Sequence, residues 1–160
     1  MINYKRQHGI TLIEVMVSVL VLSVGLLGYV SLQAQSIKSN KSAYYRSQAN
    51  ILAQDISERM RTNRFDVERG LYDIANETVG ECKNTLSDNQ SIAKKDILDW
   101  KNMLACLISD ADTTRVSIQR QHSDLGNTVI IKITWDDSYG EIDSVNELER
   151  MYTVEYRTDI

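Results

Sequence analysis

The chain of 160 residues contains no proline and only two cysteines, two histidines and one phenylalanine. It also lacks the sequence patterns of several enzyme classes, namely G-x-x-x-x-G-K, G-x-G-x-x-G, G-x-S-x-G and H-E-x-x-H. The chain therefore lacks the motifs commonly used for phosphate binding, dinucleotide binding, acyl transfer and zinc-dependent hydrolysis. The sequence therefore favours a protein that is not an enzyme and that needs no cofactor and no metal.

Charge is almost missing between Ile10 and Val30, where Glu14 is the only group ionised at neutral pH. As a helix, this stretch would rise about 31 Å, enough to cross a hydrocarbon core about 30 Å thick. Lys5 and Arg6 precede it, which predicts a cytoplasmic N-terminus. A carboxylate in hydrocarbon costs about 2.5–3.5 kcal/mol, so Glu14 needs a partner or a function. The plainer alternative is a signal-anchor in which Glu14 has no role.

The residues around Glu14 resemble the class III signal of type IV prepilins and type II secretion pseudopilins. In that signal a short basic leader ends in glycine, followed by a hydrophobic residue, threonine, leucine, a variable position, glutamate and a long apolar helix. The chain matches this pattern from Gly9 to Glu14, in the run Gly-Ile-Thr-Leu-Ile-Glu. The resemblance implies that a prepilin peptidase cleaves between Gly9 and Ile10 and that the new Ile10 amine is then methylated.

The same resemblance assigns Glu14 to subunit assembly, with Thr11 and Leu12 beside it in the signal. In the family this carboxylate is thought to pair with the N-terminal amine of a neighbouring subunit in the fibre. Removing one partner of a buried ion pair costs about 3–5 kcal/mol. A negative charge near a helix N-terminus is also favoured, by about 0.3–1 kcal/mol. We therefore expect Glu14 to fix the stagger between neighbouring subunits.

The remainder of the chain is acidic. Residues 31–160 carry 16 Lys and Arg against 21 Asp and Glu, a net charge of −5. Nucleic-acid binding depends on a basic surface that neutralises phosphates, and no run of Lys or Arg exceeds two residues. Nucleic acid is therefore not an expected partner.

The two cysteines, Cys82 and Cys106, both follow the apolar stretch. If that side of the membrane is an oxidising periplasm, they should form a disulfide, for which the chain-entropy model suggests about 3.5 kcal/mol of stabilisation. Unpaired thiols are one alternative. A metal site that includes His122 is another, but the spacing fits no zinc pattern.

The apolar helix should continue well beyond Val30. Neither proline nor glycine occurs between Val30 and Arg69, so nothing obliges the helix to end before about Asn63. Charged residues alternate with an apolar stripe, as in an amphipathic helix. The stripe consists of Leu32, Ile37, Tyr45, Ala49, Leu52, Ile56 and Met60.

Beyond the helix, residues 65–90 are irregular and polar, and we predict loops with at most one short helix there. Residues 91–109 have helical periodicity, and Asp96 is a candidate N-cap for the run that starts at Ile97. Alternating apolar residues then predict strands at about 115–121, 128–136 and 150–158. Residues 124–127 read as a hairpin turn, and 136–149 as a long acidic loop.

These elements predict an α+β fold in which the C-terminal half of a long helix packs on a small antiparallel sheet. The predicted organisation is a leader at 1–9, an apolar helix at 10–30, an amphipathic continuation at 31–64 and a globular head at 65–160. Type IV pilins have this architecture. Unlike many major pilins, this chain has no proline in the apolar helix, so any melted segment there would depend on Gly25 and Gly28.

Three further segments resemble the PilV-type minor pilins, also called pilus modification proteins. They are Ser42–Ala49, Glu58–Arg64 and Thr134–Asp137. The resemblance implies a bacterial minor pilin, held in the inner membrane with its head in the periplasm and later displayed on a pilus. Its implied partners are other pilins, the prepilin peptidase and the assembly machinery of the inner membrane. A type II secretion pseudopilin, a tip adhesin and a DNA-uptake pilin are the alternatives.

The remaining polar clusters have ordinary explanations. The acidic pairs Asp110/Asp112 and Asp136/Asp137 suit a helix end and a solvated turn, and the ligand spacing after Asp136 does not fit an EF-hand calcium loop. Three arginines lie near residue 60, where the long helix is predicted to end. Their charges suit the negative end of the helix dipole, and we prefer this explanation to an anion-binding site. The three arginines are Arg59, Arg61 and Arg64.

Overall fold

The computed structural model describes residues 11–83, 91–108, 113–123, 126–137 and 151–160. Its helices and strands follow in the order α1 Leu12–Thr62, α2 Arg64–Glu68, β1 Ile74–Thr78, α3 Ile92–Leu107, β2 Arg115–Ser123, β3 Gly126–Asp136 and β4 Met151–Asp159. The four strands form one antiparallel sheet in the order β1-β2-β3-β4. The predicted α+β fold, a long apolar helix packed with an antiparallel sheet, is confirmed.

The chain divides into two compact units, Met1–Asn40 and Lys41–Ile160, and α1 contributes to both. We call the second unit the head. The α1 residues from Tyr45 onward that recur at helical spacing are buried in the head. They are Tyr45, Ala49, Leu52, Ala53, Ile56, Ser57 and Met60.

The core of the head joins this face of α1 to the inward face of the sheet and to α3. Alternation places Val129, Ile131, Ile133 and Trp135 on one face of β3, and each is at most 1% exposed. From α3, Trp100 and Leu104 enter the same core. The indole N–H of Trp100 donates to the carbonyl oxygen of Leu52 at 2.8 Å, so the large ring is buried without an unpaired donor.

Strands β2, β3 and β4 pair without a register shift. β2 and β3 remain paired up to Ser123 and Gly126, so two residues connect them. Those two residues of the predicted 124–127 turn, and most of the predicted 136–149 loop, lie outside the described residues. All nine residues of β4 have partners on β3.

Strand β1 is an element that the sequence did not reveal. Only Ile74 of its five residues is buried, Asn76 has a positive φ of 46°, and the pairing with β2 shifts between Ile74 and Glu77. This irregularity has the form of a β-bulge, which removes the period of two that identifies a strand in a sequence. The segment predicted as loops therefore contributes an edge strand.

The predicted N-cap role of Asp96 is wrong. Helix α3 begins at Ile92, after Ser91 in an extended conformation, so Asp96 lies inside the helix. Its carboxylate faces other elements instead. The predicted stripe on α1 is also shorter than expected, because Leu32 and Ile37 are exposed and the first buried member is Tyr45.

Gly70 allows the segment after α2 to approach β2 closely. Its φ is +78°, and a Cβ atom there would lie 2.8 Å from a guanidinium nitrogen of Arg120. That guanidinium binds the Asp73 carboxylate through two nitrogens, at 2.8 and 2.9 Å, and donates to the Glu68 carbonyl oxygen at 2.7 Å. Glycine at position 70 therefore leaves room for the arginine that joins β2 to the chain before β1.

Candidate functional site

The candidate site is the N-terminal part of α1. Gly9 and Ile10, the predicted cleavage and methylation positions, lie outside the described residues. Thr11 directly precedes the helix, and its carbonyl oxygen accepts the N–H groups of Glu14 and Val15 at 3.1 and 3.3 Å. The helix therefore starts at Leu12, two residues beyond the predicted cleavage position.

Glu14 lies in the first turn of α1 and its side chain is exposed. Within the described residues, its carboxylate makes no hydrogen bond or ion pair. The Ser18 hydroxyl donates to the backbone carbonyl oxygen of Glu14 at 2.7 Å, and Ser23 makes the same bond to Val19 five residues further on. Because these hydroxyls bond to the helix itself, they do not supply a partner for the carboxylate.

The side chains of α1 from Leu12 to Val30 form an apolar surface that the chain itself does not cover. Leu22, for example, is 63% exposed. By length and composition α1 is apolar enough to cross a membrane, and none of its most apolar window is buried in the structure. Such a surface requires either lipid or apolar surfaces of other chains. The sequence identified this segment correctly as the apolar part of the helix.

In the head, Arg59 of α1 lies beside three carboxylates, one on its own helix and two on α3. Its guanidinium lies 2.9 Å from Asp55, 3.4 Å from Asp96 and 3.9 Å from Asp99. Burial lowers the pKa of Arg59, but the charges and hydrogen bonds of Asp55 and Asp96 outweigh it and raise the pKa above its ordinary value. This arginine therefore serves as a bridge between helices.

Tyr72 connects to the same group of residues from the chain before β1. Its hydroxyl donates to the Asp96 carboxylate at 2.6 Å and accepts from the Asn63 amide at 3.3 Å. Burial raises the pKa of Tyr72 strongly, and the hydrogen bond to Asp96 adds to the rise. Sequence reasoning missed this contact, since no local pattern links residues 63, 72 and 96.

The start of β4 is fastened to α1 by Arg46. Its guanidinium lies 3.9 Å from the ring centre of Tyr152 and 2.8 Å from the Asp137 carboxylate. The Ser42 hydroxyl donates to the same carboxylate at 2.7 Å. Asp137, which the sequence placed in a solvated acidic turn, thus holds the end of the β3 segment against the helix.

Cys82 and Cys106 form a disulfide that joins the segment after β1 to the end of α3. Next to it, both backbone groups of Lys83 bond to the Asn102 side chain. In the described parts of the chain, no three His, Cys, Asp or Glu side chains are grouped so that they could hold a metal ion.

Comparison with known proteins gives one match. Residues 4–30 match the family model described as the prokaryotic N-terminal methylation motif. No curated protein and no solved structure matches the chain. The matched residues contain the predicted signal from Lys5 to Glu14 and the whole apolar surface of α1 from Leu12 to Val30.

The chain therefore carries a class III prepilin signal, followed by an apolar helix and an antiparallel sheet consistent with the type IV pilin fold. The motif is typical of pilin-type and pseudopilin-type substrates of prepilin peptidase, and it suggests a structural subunit rather than an enzyme. It also suggests membrane anchoring followed by display on a pilus.

Proposed function

We propose that this chain is a minor pilin of a bacterial type IV pilus. The observation that carries the proposal is the methylation motif at residues 4–30, which continues without interruption into one 51-residue helix. The first half of that helix is apolar and uncovered, and the second half forms part of the core of the head. This arrangement suits a subunit that moves from a membrane into a bundle of similar helices.

The proposed precursor lies in the inner membrane, with residues 1–9 in the cytoplasm and the head in the periplasm. Lys5 and Arg6 support this orientation through the positive-inside tendency. The Cys82–Cys106 disulfide fits an oxidising compartment for the head. Prepilin peptidase then cleaves between Gly9 and Ile10, and the Ile10 amine is methylated.

During assembly, the apolar surface exchanges lipid for the helices of neighbouring subunits. Lipid tails are about as apolar as leucine, so this exchange yields little hydrophobic free energy and depends on close packing and polar contacts. Glu14 provides such a contact, because its carboxylate has no ion-pair partner within the described residues. A methylated amine at Ile10 of a neighbouring subunit would neutralise it only at the correct stagger, with Thr11 and Leu12 alongside.

Within the head, the face of α1 that points away from the core also carries exposed apolar side chains. Tyr44 and Ile51 lie seven residues apart, about two helical turns, and are 49% and 53% exposed. Both are absent from the buried face of the helix. They offer apolar contacts to a neighbouring pilin without disturbing the core.

A minor pseudopilin of a type II secretion system is the alternative function, because the same motif and helix would serve it. The segments Ser42–Ala49, Glu58–Arg64 and Thr134–Asp137 resemble PilV-type pilins and favour the pilus. Co-purification of the chain with sheared pili supports the pilus. Its presence only in complexes with secretion-system subunits would favour the alternative.

The central experiment replaces Glu14 with alanine in cells that make pili. We expect Glu14→Ala to be cleaved and membrane-bound like the wild type, but to be at least about tenfold depleted from sheared fibres, because one partner of a buried ion pair is lost. Immunoblots of membrane and fibre fractions measure both quantities. Mass spectrometry of the extracted chain should show an N-terminus at methylated Ile10.

Glu58→Ala is the matched control. Glu58 lies on the same helix, and its carboxylate is exposed beside Arg61 at 3.1 Å. We expect this variant to enter fibres normally, since the same change of charge falls outside the apolar surface. Normal incorporation of Glu14→Ala, or a membrane-bound chain that keeps residues 1–9 in the presence of active peptidase, would contradict the proposal.

A further inference from the structure

Asn102 uses both ends of its side-chain amide to hold one residue of the segment that follows β1. The backbone N–H of Lys83 donates to Asn102 Oδ1 at 2.7 Å, and Asn102 Nδ2 donates to the Lys83 carbonyl oxygen at 2.9 Å. The side chain thereby imitates a paired strand. We call this pair of hydrogen bonds the Asn102 clamp.

The Asn102 clamp lies directly beside the disulfide. Cys82 precedes Lys83 in the chain, and Cys106 follows Asn102 by four residues on α3, where side chains four apart share a face. Holding Lys83 at position 102 therefore brings Cys82 over the turn of helix that carries Cys106. The clamp achieves this without using either sulfur atom.

We propose that Asn102 is a positioning residue for formation of the Cys82–Cys106 disulfide. In the reduced chain, the clamp holds Cys82 near Cys106 and raises the effective concentration of one thiol at the other. The two thiols then lose two protons and two electrons through a mixed disulfide. The oxidant is the disulfide of a small thiol or of a dithiol oxidase, which is reduced to two thiols.

The surroundings of the cysteines suit oxidation after the head has folded. Both cysteines are exposed, so an external disulfide can reach them, and neither belongs to the hydrophobic core. Lys101 provides a second link between α3 and β1, since its ammonium lies 3.1 Å from the Glu77 carboxylate. Loss of the clamp should therefore weaken the approach of Cys82 without detaching β1.

The test measures the equilibrium between the dithiol and disulfide forms of the full chain, in detergent, against mixtures of reduced and oxidised glutathione. We expect Asn102→Ala to shift this equilibrium toward the dithiol by about tenfold, as the loss of two hydrogen bonds near the surface implies. Asn102→Asp keeps only the acceptor for the Lys83 N–H and should fall between the two. In concentrated guanidinium the variants should equal the wild type.

The control is Asn50→Ala, which removes an exposed asparagine whose amide, among the described residues, bonds only to the Arg46 carbonyl oxygen on its own helix. It should leave the thiol equilibrium unchanged. An Asn102→Ala equilibrium within about twofold of the wild type, well below the effect expected for these bonds, would overturn the proposal.

Amide hydrogen exchange at Lys83 separates cause from consequence. In a Cys82→Ser/Cys106→Ser chain, the Lys83 amide should stay protected, because the clamp exists without the disulfide. In Asn102→Ala the protection should disappear even with the disulfide formed. Loss of protection in the serine variant would mean that the disulfide positions the clamp, and the proposal would fail.

Discussion

The two halves of α1 have similar backbones and opposite surroundings. Before residue 41 the apolar side chains are exposed, whereas from Tyr45 onward one face of the same helix is buried against the head. Leu22 and Leu52 illustrate the contrast, at 63% and 4% exposure. The second half has its apolar partners within its own chain, and the first half must find them elsewhere.

This contrast indicates that one helix carries two separable tasks. Substitutions in the second half should change the stability of the head, because its side chains are already packed. Substitutions in the first half should change membrane residence or assembly and leave the head intact. Trp100 and Trp135 are the only tryptophans and both are buried in the head, so their fluorescence reports on that unit alone.

The largest expected effect comes from one matched pair of substitutions on α1. Leu52→Ala should lower the free energy of unfolding of the head by about 2–5 kcal/mol, because it leaves a cavity in the core. Leu22→Ala removes the same atoms from an uncovered position and should leave that free energy unchanged. Denaturant titration of the tryptophan fluorescence in detergent measures both. A similar loss in the two variants would show that the halves are not separable.

A second prediction concerns how the free energy of unfolding of the head depends on pH, through the buried Tyr72. Its folded-state pKa is raised by burial, so the stability it contributes is present below the unfolded pKa of about 10 and declines as the pH rises toward the folded value. Tyr72→Phe should cost about 1.5–3 kcal/mol at neutral pH, since a hydrogen bond to a carboxylate is lost. It should also reduce the alkaline decline in unfolding free energy.

Tyr44→Phe is the control for this experiment, since the Tyr44 ring is half exposed on the opposite face of α1. It should retain the alkaline decline of the wild type. An equal decline in the wild type and Tyr72→Phe chains would argue against Tyr72 as its source.

The smallest expected effect is a gain in stability. Ser57 is fully buried on α1, and its hydroxyl has no hydrogen-bond partner in the described part of the chain. Ser57→Ala should therefore raise the free energy of unfolding of the head by about 1 kcal/mol. Ser23→Ala, in the apolar half, should not affect it. A loss of stability in Ser57→Ala would indicate a bond to water at that hydroxyl.

The parts of the fold that could be predicted were those with a strong local period. The sequence shows three such patterns directly. They are the apolar run before Val30, the helical face from Tyr45 to Met60 and the alternating residues of β2, β3 and β4. Strand β1 could not be recognised, because the register shift after Ile74 and the positive φ of Asn76 remove its alternation.

For the candidate site and the contacts in the head, too, only the local patterns could be predicted. The signal around Glu14 is contiguous and could be read directly, whereas the contacts of Arg59 with Asp96 and of Asn102 with Lys83 join residues far apart in the chain. Such contacts depend on how α3 packs against α1 and against the segment after β1, and a sequence pattern does not report that. Asp96 illustrates the error. The sequence predicted it as an N-cap, whereas it lies inside α3 and accepts a hydrogen bond from Tyr72.

The two edges of the sheet differ in length and regularity, and this difference affects how easily another molecule could add a strand to each edge. β1 is short and bulged, while β4 is nine residues long and evenly paired with β3. A long regular edge offers unpaired backbone groups to any neighbouring molecule. Glu155, Arg157 and Asp159 place exposed charges along β4, of the kind that discourage unwanted strand addition, so these three residues would help to keep closely spaced subunits from aggregating.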